Sequence, residues 1–272
     1  MSRPALPAYL DGLIAAYRAG QASRDLHLGY WDQPPDLGVP SAPVEFAQAQ
    51  ARLTERVIEI VTTQPGQRVL DVACGLGGTL SALAERHTDT MLVGLNIDRR
   101  QLEICRDIAP PPSGSLALVE GDACALPFAA RSFDQILCVE AMFHFRSRQI
   151  FLGEAARLLR SGGLLALSDI LLRRPGTAAP WDEATMAAAL RRDYGPWPEL
   201  WIEADELKQY ATDARLLATA DEDWTAQTLP SYRITAPDDR PELRRDPDAG
   251  NVMRWLHTRG WLAYRVLAFR RY

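Results

Sequence analysis

Val69-Leu70-Asp71-Val72-Ala73-Cys74-Gly75-Leu76-Gly77-Gly78 decides how the rest of the chain is read. An apolar run suited to a strand meets an acid, passes through small residues and glycines, and enters the helix-like run Thr79–Arg86. Glycine lets a backbone turn tightly and approach a ligand, because no Cβ stands in the way. The helix that follows offers free N–H groups and the positive end of its dipole at that point. Taken alone, such a turn fits a dinucleotide, a phosphate, another nucleoside, or a tight bend with no ligand.

On both sides of this turn the pattern alternates. Ala42–Val61 carries Phe46, Leu53, Val57, Ile60 and Val61 at helical spacing and stops at Gln64-Pro65-Gly66. Downstream, strands are expected at Met91–Asn96, Leu116–Glu120, Phe133–Val139 and Leu164–Leu172, and helices at Arg99–Ile108 and Ile150–Leu159, the last ended by Ser161-Gly162-Gly163. Nearly unbroken apolar strands alternating with helices imply a parallel sheet covered on both faces. Right-handed crossovers then bring the strand C-terminal ends to one edge. After Arg173 the rhythm breaks. Pro175–Pro198, with a helical run at Asp182–Arg192, reads as a cap over the strand ends. The helix Ile202–Ala211 and strand Arg215–Ala220 resume the sheet, Asp221–Asp248 reads as a polar surface excursion, and a helix near Asn251–Leu256 precedes a last strand at Trp261–Phe269. The N-terminal part holds one amphipathic helix (Ala8–Ala19) and the turn-rich His27-Leu28-Gly29-Tyr30-Trp31-Asp32. Its adjacent aromatics either anchor a loop to the core or close over a ligand.

With 272 residues the chain suffices for one large domain and is expected to bury roughly 70–75% of its unfolded surface without disulfides or metal. A net charge of −5 argues against a broad nucleic-acid surface. The four cysteines, Cys74, Cys105, Cys124 and Cys138, stand far apart and read as small buried groups in a reducing compartment, not a zinc set. The apolar runs near the N-terminus are short, as in neither a signal peptide nor an anchor, and no stretch approaches the ~20 residues that span a bilayer. A soluble, cytoplasmic protein is the expectation.

In an open α/β sheet, ligands sit outside the carboxyl ends of the strands, near the reversal of strand order. Four such ends carry telling residues: Asp71–Gly78; Asn96-Ile97-Asp98, about twenty residues beyond the glycines as in nucleoside sites; Glu120-Gly121-Asp122-Ala123; and Val139-Glu140-Ala141-Met142-Phe143-His144-Phe145. Singly, Asn96 and Asp122 also suit plain turns, His144 suits a core histidine, and Asp169 suits a loop cap. Their agreement at consecutive strand ends is much harder to explain as turn chemistry.

Asp71–Gly78 resembles the first motif of class I S-adenosylmethionine-dependent methyltransferases. Gly121-Asp122-Ala123-Cys124-Ala125-Leu126-Pro127-Phe128 with Ser132-Phe133-Asp134 resembles their adenine loop, and Leu158-Leu159-Arg160-Ser161-Gly162-Gly163-Leu164 their helix-turn-strand, with Ser161 where Pro is usual. His27–Asp32 is similar to the lid segment of sterol, tocopherol and natural-product members. Glu140–Phe145 and Ser168-Asp169-Ile170 are most similar to the small-molecule O-methyltransferases of the rebeccamycin and rifamycin type. The resemblance implies a Rossmann-like, doubly wound, seven-stranded, mostly parallel α/β sheet with helices on both faces, the last strand antiparallel, and a helical cap. It implies a lid at 1–45, a cofactor core at 46–172, a cap at 173–200 and completion of the sheet at 201–272. It also implies S-adenosylmethionine as cofactor, S-adenosylhomocysteine as product and no metal. Asp71 would engage the methionine amino group, with Ala73, Gly75 and Gly77 against that moiety and Tyr30 over its carboxylate. Asn96, Ile97 and Gln101 would hold the ribose, Asp122 and Ala123 the adenine, and Val139 and Glu140 the cofactor floor. Asn96 stands where many members carry an acid; it keeps an acceptor and adds donors.

The same resemblance implies that His144 takes the proton of a substrate hydroxyl, with Asp169 orienting its ring or sharing the proton work. Trp31, Phe143, Phe145, Trp181, Tyr194 and Trp197 are expected to line a chamber for a small, largely apolar acceptor, or else to fasten the cap to the core. Arg173, Arg174, Arg191 and Arg192 are either solvated surface or a hold on an acidic acceptor. A homodimer is compatible with this reading; nucleic acid and membrane are not expected partners. Carbon transfer to an isoprenoid or sterol-like acceptor, using Glu140, Phe143 and Phe145 to stabilise a carbocation, and nitrogen transfer to an amine are the rivals. A nicotinamide dehydrogenase is disfavoured because Gly75, Gly77 and Gly78 lack the Gly-x-Gly-x-x-Gly spacing.

Overall fold

Apolar residues at successive positions of each strand fall alternately on two faces, and this builds a sheet with a core on either side. In the strand β1 (Arg68–Val72), Val69 belongs to one buried cluster and Leu70 and Val72 to the other. In β4 (Phe133–Val139), Leu137 takes the first side and Ile136 and Cys138 the second. The computed structural model describes residues 6–34, 42–173, 182–236 and 248–272. With β2 (Met91–Asn96), β3 (Ser115–Glu120), β5 (Leu159–Leu172), β6 (Leu216–Asp223) and β7 (Leu262–Arg271), the strands form one seven-stranded sheet in the order β3-β2-β1-β4-β5-β7-β6. β1 to β5 run parallel, and β7 is antiparallel to both β5 and β6. Strand order reverses between β1 and β4, so the crevice available to a ligand opens beyond Val72 and Val139.

On the first face, α2 (Ala42–Val61), α3 (Gly78–Arg86) and α10 (Ala249–Thr258) contribute Leu53, Val57, Leu80, Leu83, Val252 and Leu256. On the second, α5 (Arg148–Leu158) and α7 (Ala204–Asp213) contribute Phe151, Leu152 and Leu207. α4 (Arg99–Cys105) follows β2, its N-terminus capped by the Asp98 carboxylate, which accepts from the Arg100 N–H. α1 (Tyr9–Arg18) belongs to neither layer; Ile14 packs with Leu76 and Ile104 in a small cluster of its own. No helix among the described residues is long and apolar enough to cross a membrane. The four cysteines are free and buried.

Two expectations are corrected. The helix expected to run to Leu159 ends at Leu158, and β5 takes in Ser161-Gly162-Gly163. There, Gly162 at φ 81 gives the backbone the left-handed turn that glycine favours. The first part of Asp221–Asp248 is no surface excursion: β6 runs on to Asp223, and the short turns α8 (Thr225–Thr228) and α9 (Tyr232–Thr235) follow, with Trp224 and Tyr232 in the core. The cap helix α6 (Glu183–Tyr194) packs against α10 through buried Met186, Ala187 and Leu190, so this part of the cap is fastened to the core.

Candidate active site

The turn after β1 opens onto a cavity. Ala73 and Gly75 adopt φ 59 and φ 55, a region costly for an alanine and cheap for glycine. Gly77, at φ 85, is the N-cap of α3 and lies outside the cavity, which Ala73, Cys74, Gly75 and Gly78 line. A Cβ on Gly78 would run into the Asp25 carboxylate. Asp71, only 2% exposed, lines the same cavity, and its Oδ2 has no hydrogen-bond partner among the described residues. Its carboxyl is pushed up to about 8, first by burial and then by the nearby Asp25 carboxylate, against the pull of His27. A buried carboxyl with an unused oxygen suits a cationic ligand group.

The ends of β2 and β3 supply further polar groups. Asn96 accepts from the Ile97 N–H at 2.9 Å, and its Nδ2 donates to Gln101 Oε1 at 2.5 Å. The Gln101 Nε2 is buried and unpaired among the described residues, so a donor waits beside the cavity. Asp122 receives the Cys124 N–H at 2.7 Å and lines the opposite end with Gly121 and Ala123. An orphaned carboxylate oxygen, an orphaned amide and a glycine turn together fit the amino acid and ribose parts of the expected nucleoside. The fit rests on this chain's own groups.

The residues that close the cavity stand three to six positions before Tyr30 and share only His27 with the expected segment His27–Asp32. Arg24, Asp25, Leu26 and His27 line the cavity. Tyr30 instead stands edge-on to Trp224 at 5.2 Å with the Arg56 guanidinium over its ring, and Trp31 donates its Nε1–H to Ser231 at 2.9 Å and stacks on Phe46. Both aromatics anchor the loop to the core. His27 Nδ1 meets the Leu28 carbonyl at 2.7 Å, and Nε2 meets Thr54 Oγ1 at 2.9 Å. Thr54 gives its own hydrogen to Asp25 at 2.7 Å, so both ring nitrogens of His27 act as donors. Although burial pulls it down, the hydrogen bond and charge of Asp25, with Glu140 beyond, hold His27 above the usual histidine range. Glu140, raised by burial and relieved by His27, accepts from the Leu28 N–H at 3.0 Å. The lid is thereby tied to the end of β4.

At the far end of the cavity, the 3-10 turn Met142–His144 presents His144. Its Nδ1 lies 3.2 Å from the Pro196 carbonyl, which can only accept, so Nδ1 carries the hydrogen and Nε2 the lone pair. Tyr9, a residue of α1 that the sequence reading passed over, donates its hydroxyl to that lone pair at 3.0 Å. Burial, with Arg148 adding to it, lowers His144 to about 4 against the Pro196 carbonyl. The imidazole is therefore neutral at ordinary pH.

Asp169 does not orient it. Asp169 and Arg148 are both fully buried, joined at 2.7 Å, and Arg148 also donates to the Glu199 carbonyl at 2.7 Å. Positions 165, 167 and 171 of β5 face the second core, and period-two alternation sends Asp169 the same way, towards α5. Asp169→Asn is expected to destabilise the fold by about 2–3 kcal/mol, because Arg148 loses its charged partner yet keeps Glu199. Urea unfolding checks this, and unaltered stability would remove the ion pair from the account. Of the expected acceptor residues, Phe145 lines the cavity. Phe143 and Trp197 stack on each other outside it, at 4.5 Å, and Tyr194 reaches it only through an edge contact with Tyr9 at 5.5 Å. Trp181 and Arg174 lie outside the described residues. Leu6, Pro7, Leu10, Pro196 and Pro198 complete an apolar end. The whole cavity, about 380 Å³, runs unbroken from Asp122 past Asp71 to His144.

Comparison with known proteins places the chain in a family. The family model described as "Methyltransferase domain" matches residues 70–167. The chain is 32% identical over 215 residues to 27-O-demethylrifamycin SV methyltransferase of Amycolatopsis mediterranei, covering 78% of this chain and 74% of that one. It is also 32% identical over 194 residues to an O-methyltransferase of Pyrenophora dematioidea, covering 69% of this chain and 66% of the relative's own length. Among solved structures, geranyl diphosphate C-methyltransferase from Streptomyces coelicolor A3(2), in complex with Mg2+, geranyl diphosphate and S-adenosyl-L-homocysteine, superposes with a TM-score of 0.71 at 15% identity. That match spans 99% of this chain and 100% of the other. At such identity it speaks for the fold alone.

Proposed function

Because this chain belongs to the S-adenosylmethionine-dependent methyltransferases, we propose that it moves a methyl group to a hydroxyl of a small, largely apolar acceptor, with His144 accepting the proton. One observation carries the reading: a neutral histidine whose Nε2 lone pair faces an apolar chamber already holds a hydroxyl donor at 3.0 Å. That is the reach a general base needs. The relatives named as O-methyltransferases support it.

When bound, S-adenosylmethionine supplies an electrophilic sulfonium methyl. The protein's part is to hold and align, which can contribute up to ~7–11 kcal/mol in well-oriented systems, and to manage a proton. Asp71 is assigned to the ammonium of the methionine moiety, Asn96 and Gln101 to the ribose hydroxyls, and Asp122 with Ala123 to the adenine edge. Val139 and Glu140 form the floor, and Asp25 and His27 close the lid. The carbon-transfer rival needs Glu140, Phe143 and Phe145 around a carbocation. Glu140 and Phe145 line the cavity, but Glu140 is engaged by the Leu28 N–H and Phe143 stacks on Trp197 away from it, which favours oxygen transfer.

The test is direct: supply methyl-labelled S-adenosylmethionine with a panel of aromatic and aliphatic alcohols, amines and alkenes, and locate the new methyl by NMR. Label on oxygen is the expected result. Label on carbon or nitrogen, with every alcohol inert, overturns the assignment.

A further inference from the structure

We propose that the acceptor is a phenol and that Tyr9 occupies its place, an internal copy that the true acceptor must displace. The inference rests on the oxygen-transfer reading above and adds the substrate class. Tyr9 makes with Nε2 of His144 the hydrogen bond that an acceptor hydroxyl has to make, at 3.0 Å. Its ring stacks over the imidazole with centroids 5.9 Å apart and 30° between planes, and it meets Tyr194 edge-on at 5.5 Å and 86°. Both lie in the range of favourable aromatic pairs. The chamber therefore accommodates an aryl ring and its hydroxyl together, which an aliphatic alcohol would fill poorly. Burial and the Glu140 charge push the Tyr9 phenol well above its ordinary value, so it stays a neutral donor, as an unreacted acceptor would.

Two further observations make Tyr9 the part that yields. The cavity of about 380 Å³ lies at the low end of the roughly 300–1,000 Å³ used for a single ligand, whereas transfer requires donor and acceptor together. And α1 is lightly held: Ile14 is its one fully buried residue, Tyr9 and Tyr17 being only partly covered, its N-cap Ala8 makes no side-chain cap bond, and its ion pair from Asp11 to Arg100 is exposed. Such an element opens at low cost. With the phenol seated, its oxygen forms the bond to the methyl carbon as the methyl–sulfur bond breaks, its electron pair remaining on sulfur. The phenolic proton passes to Nε2 of His144.

The probe is p-cresol, which is the tyrosine side chain as a free molecule. Tyr9→Ala leaves an apolar hole of that shape, and such holes bind matching aromatics. In Tyr9→Ala with labelled S-adenosylmethionine, p-cresol is expected to shift the His144 ring signals and to yield labelled 4-methylanisole. It should bind about tenfold or more weakly to the unaltered protein and to neither form when replaced by 4-methylcyclohexanol at the same concentration. Equal p-cresol binding with and without Tyr9, unmoved His144 signals, or equal binding of 4-methylcyclohexanol overturns the proposal. Binding against His144 without methylation keeps the phenol site and overturns the oxygen-transfer reading instead. If Tyr9→Ala does not fold, Tyr9→Phe serves: loss of one neutral hydrogen bond to Nε2 should improve p-cresol affinity about five- to tenfold, and an unchanged affinity has the same overturning force.

Discussion

Asp71→Asn is expected to make the protein more stable while nearly abolishing cofactor binding. The carboxyl is buried, its Oδ2 has no partner among the described residues, and it titrates near 8 in the fold, against about 3.9 in an unfolded chain. Between those values the folded state holds a proton that the unfolded state has released. Stability from this group is therefore greatest below about pH 4 and declines as pH rises towards 8. Asparagine has the same shape and no charge to desolvate. The variant should gain on the order of 2–4 kcal/mol at pH 7 and lose this pH slope, a rise of roughly 5–10 °C in Tm. Binding goes the other way. Removing the anionic partner of a buried ammonium costs about 2–5 kcal/mol, or roughly thirtyfold to several thousandfold in affinity. Calorimetry with S-adenosylhomocysteine reads the loss, and in the unaltered protein at pH 7 it should also show release of about one proton as Asp71 ionises against the ligand. A variant that binds within a few-fold of the original, or that melts lower, removes Asp71 from the ammonium.

The placement of Asp71 was legible because a strand's period leaves few choices. Once Val69–Val72 is a buried strand, its next turn must lie at the carboxyl edge, and the same holds for Asn96, Asp122 and Val139-Glu140. Residues in irregular segments carry no such period. His27–Asp32 announced a lid through its aromatics, yet the cavity is closed by Arg24 to His27, while Trp31 finds Ser231 far along the chain. What could have pointed there is charge: Asp25 and His27 alternate with Leu26 and Leu28, and buried charges need one another. Asp169 departs from its expected role for a related reason. It is placed at the right edge, but alternation within β5 turns it to the opposite core from Ser168, which receives the Glu140 N–H at 2.9 Å on the cavity side. Arg148, a cation at the start of a helix that buries Phe151, Leu152 and Ala155, was the available signal that an acid in an apolar strand had a structural partner. Tyr9 left none. A tyrosine at the start of an amphipathic helix is ordinary, and only the fold brings it to His144.

His144→Ala should leave S-adenosylhomocysteine affinity within about twofold, because the cofactor contacts lie with Asp71, Asn96 and Asp122, and should cut turnover of a hydroxyl acceptor by about 10²–10⁴. His144→Gln sharpens the test. Its side-chain oxygen can still receive a hydroxyl from Tyr9 or from the acceptor but cannot keep the proton, so it should be as slow as the alanine variant while binding the acceptor normally. The pH profile adds an independent readout. A free histidine, near 6.5, would cost activity as pH falls through that value. Burial holds His144 near 4, so the base stays unprotonated, and at saturating cofactor kcat should remain level from about pH 8 down to about pH 5.5 before falling. A limb centred near 6.5 means that His144 is hydrated in the working complex. Near-normal turnover in both variants means that alignment alone drives the transfer, and the proton then leaves by another route.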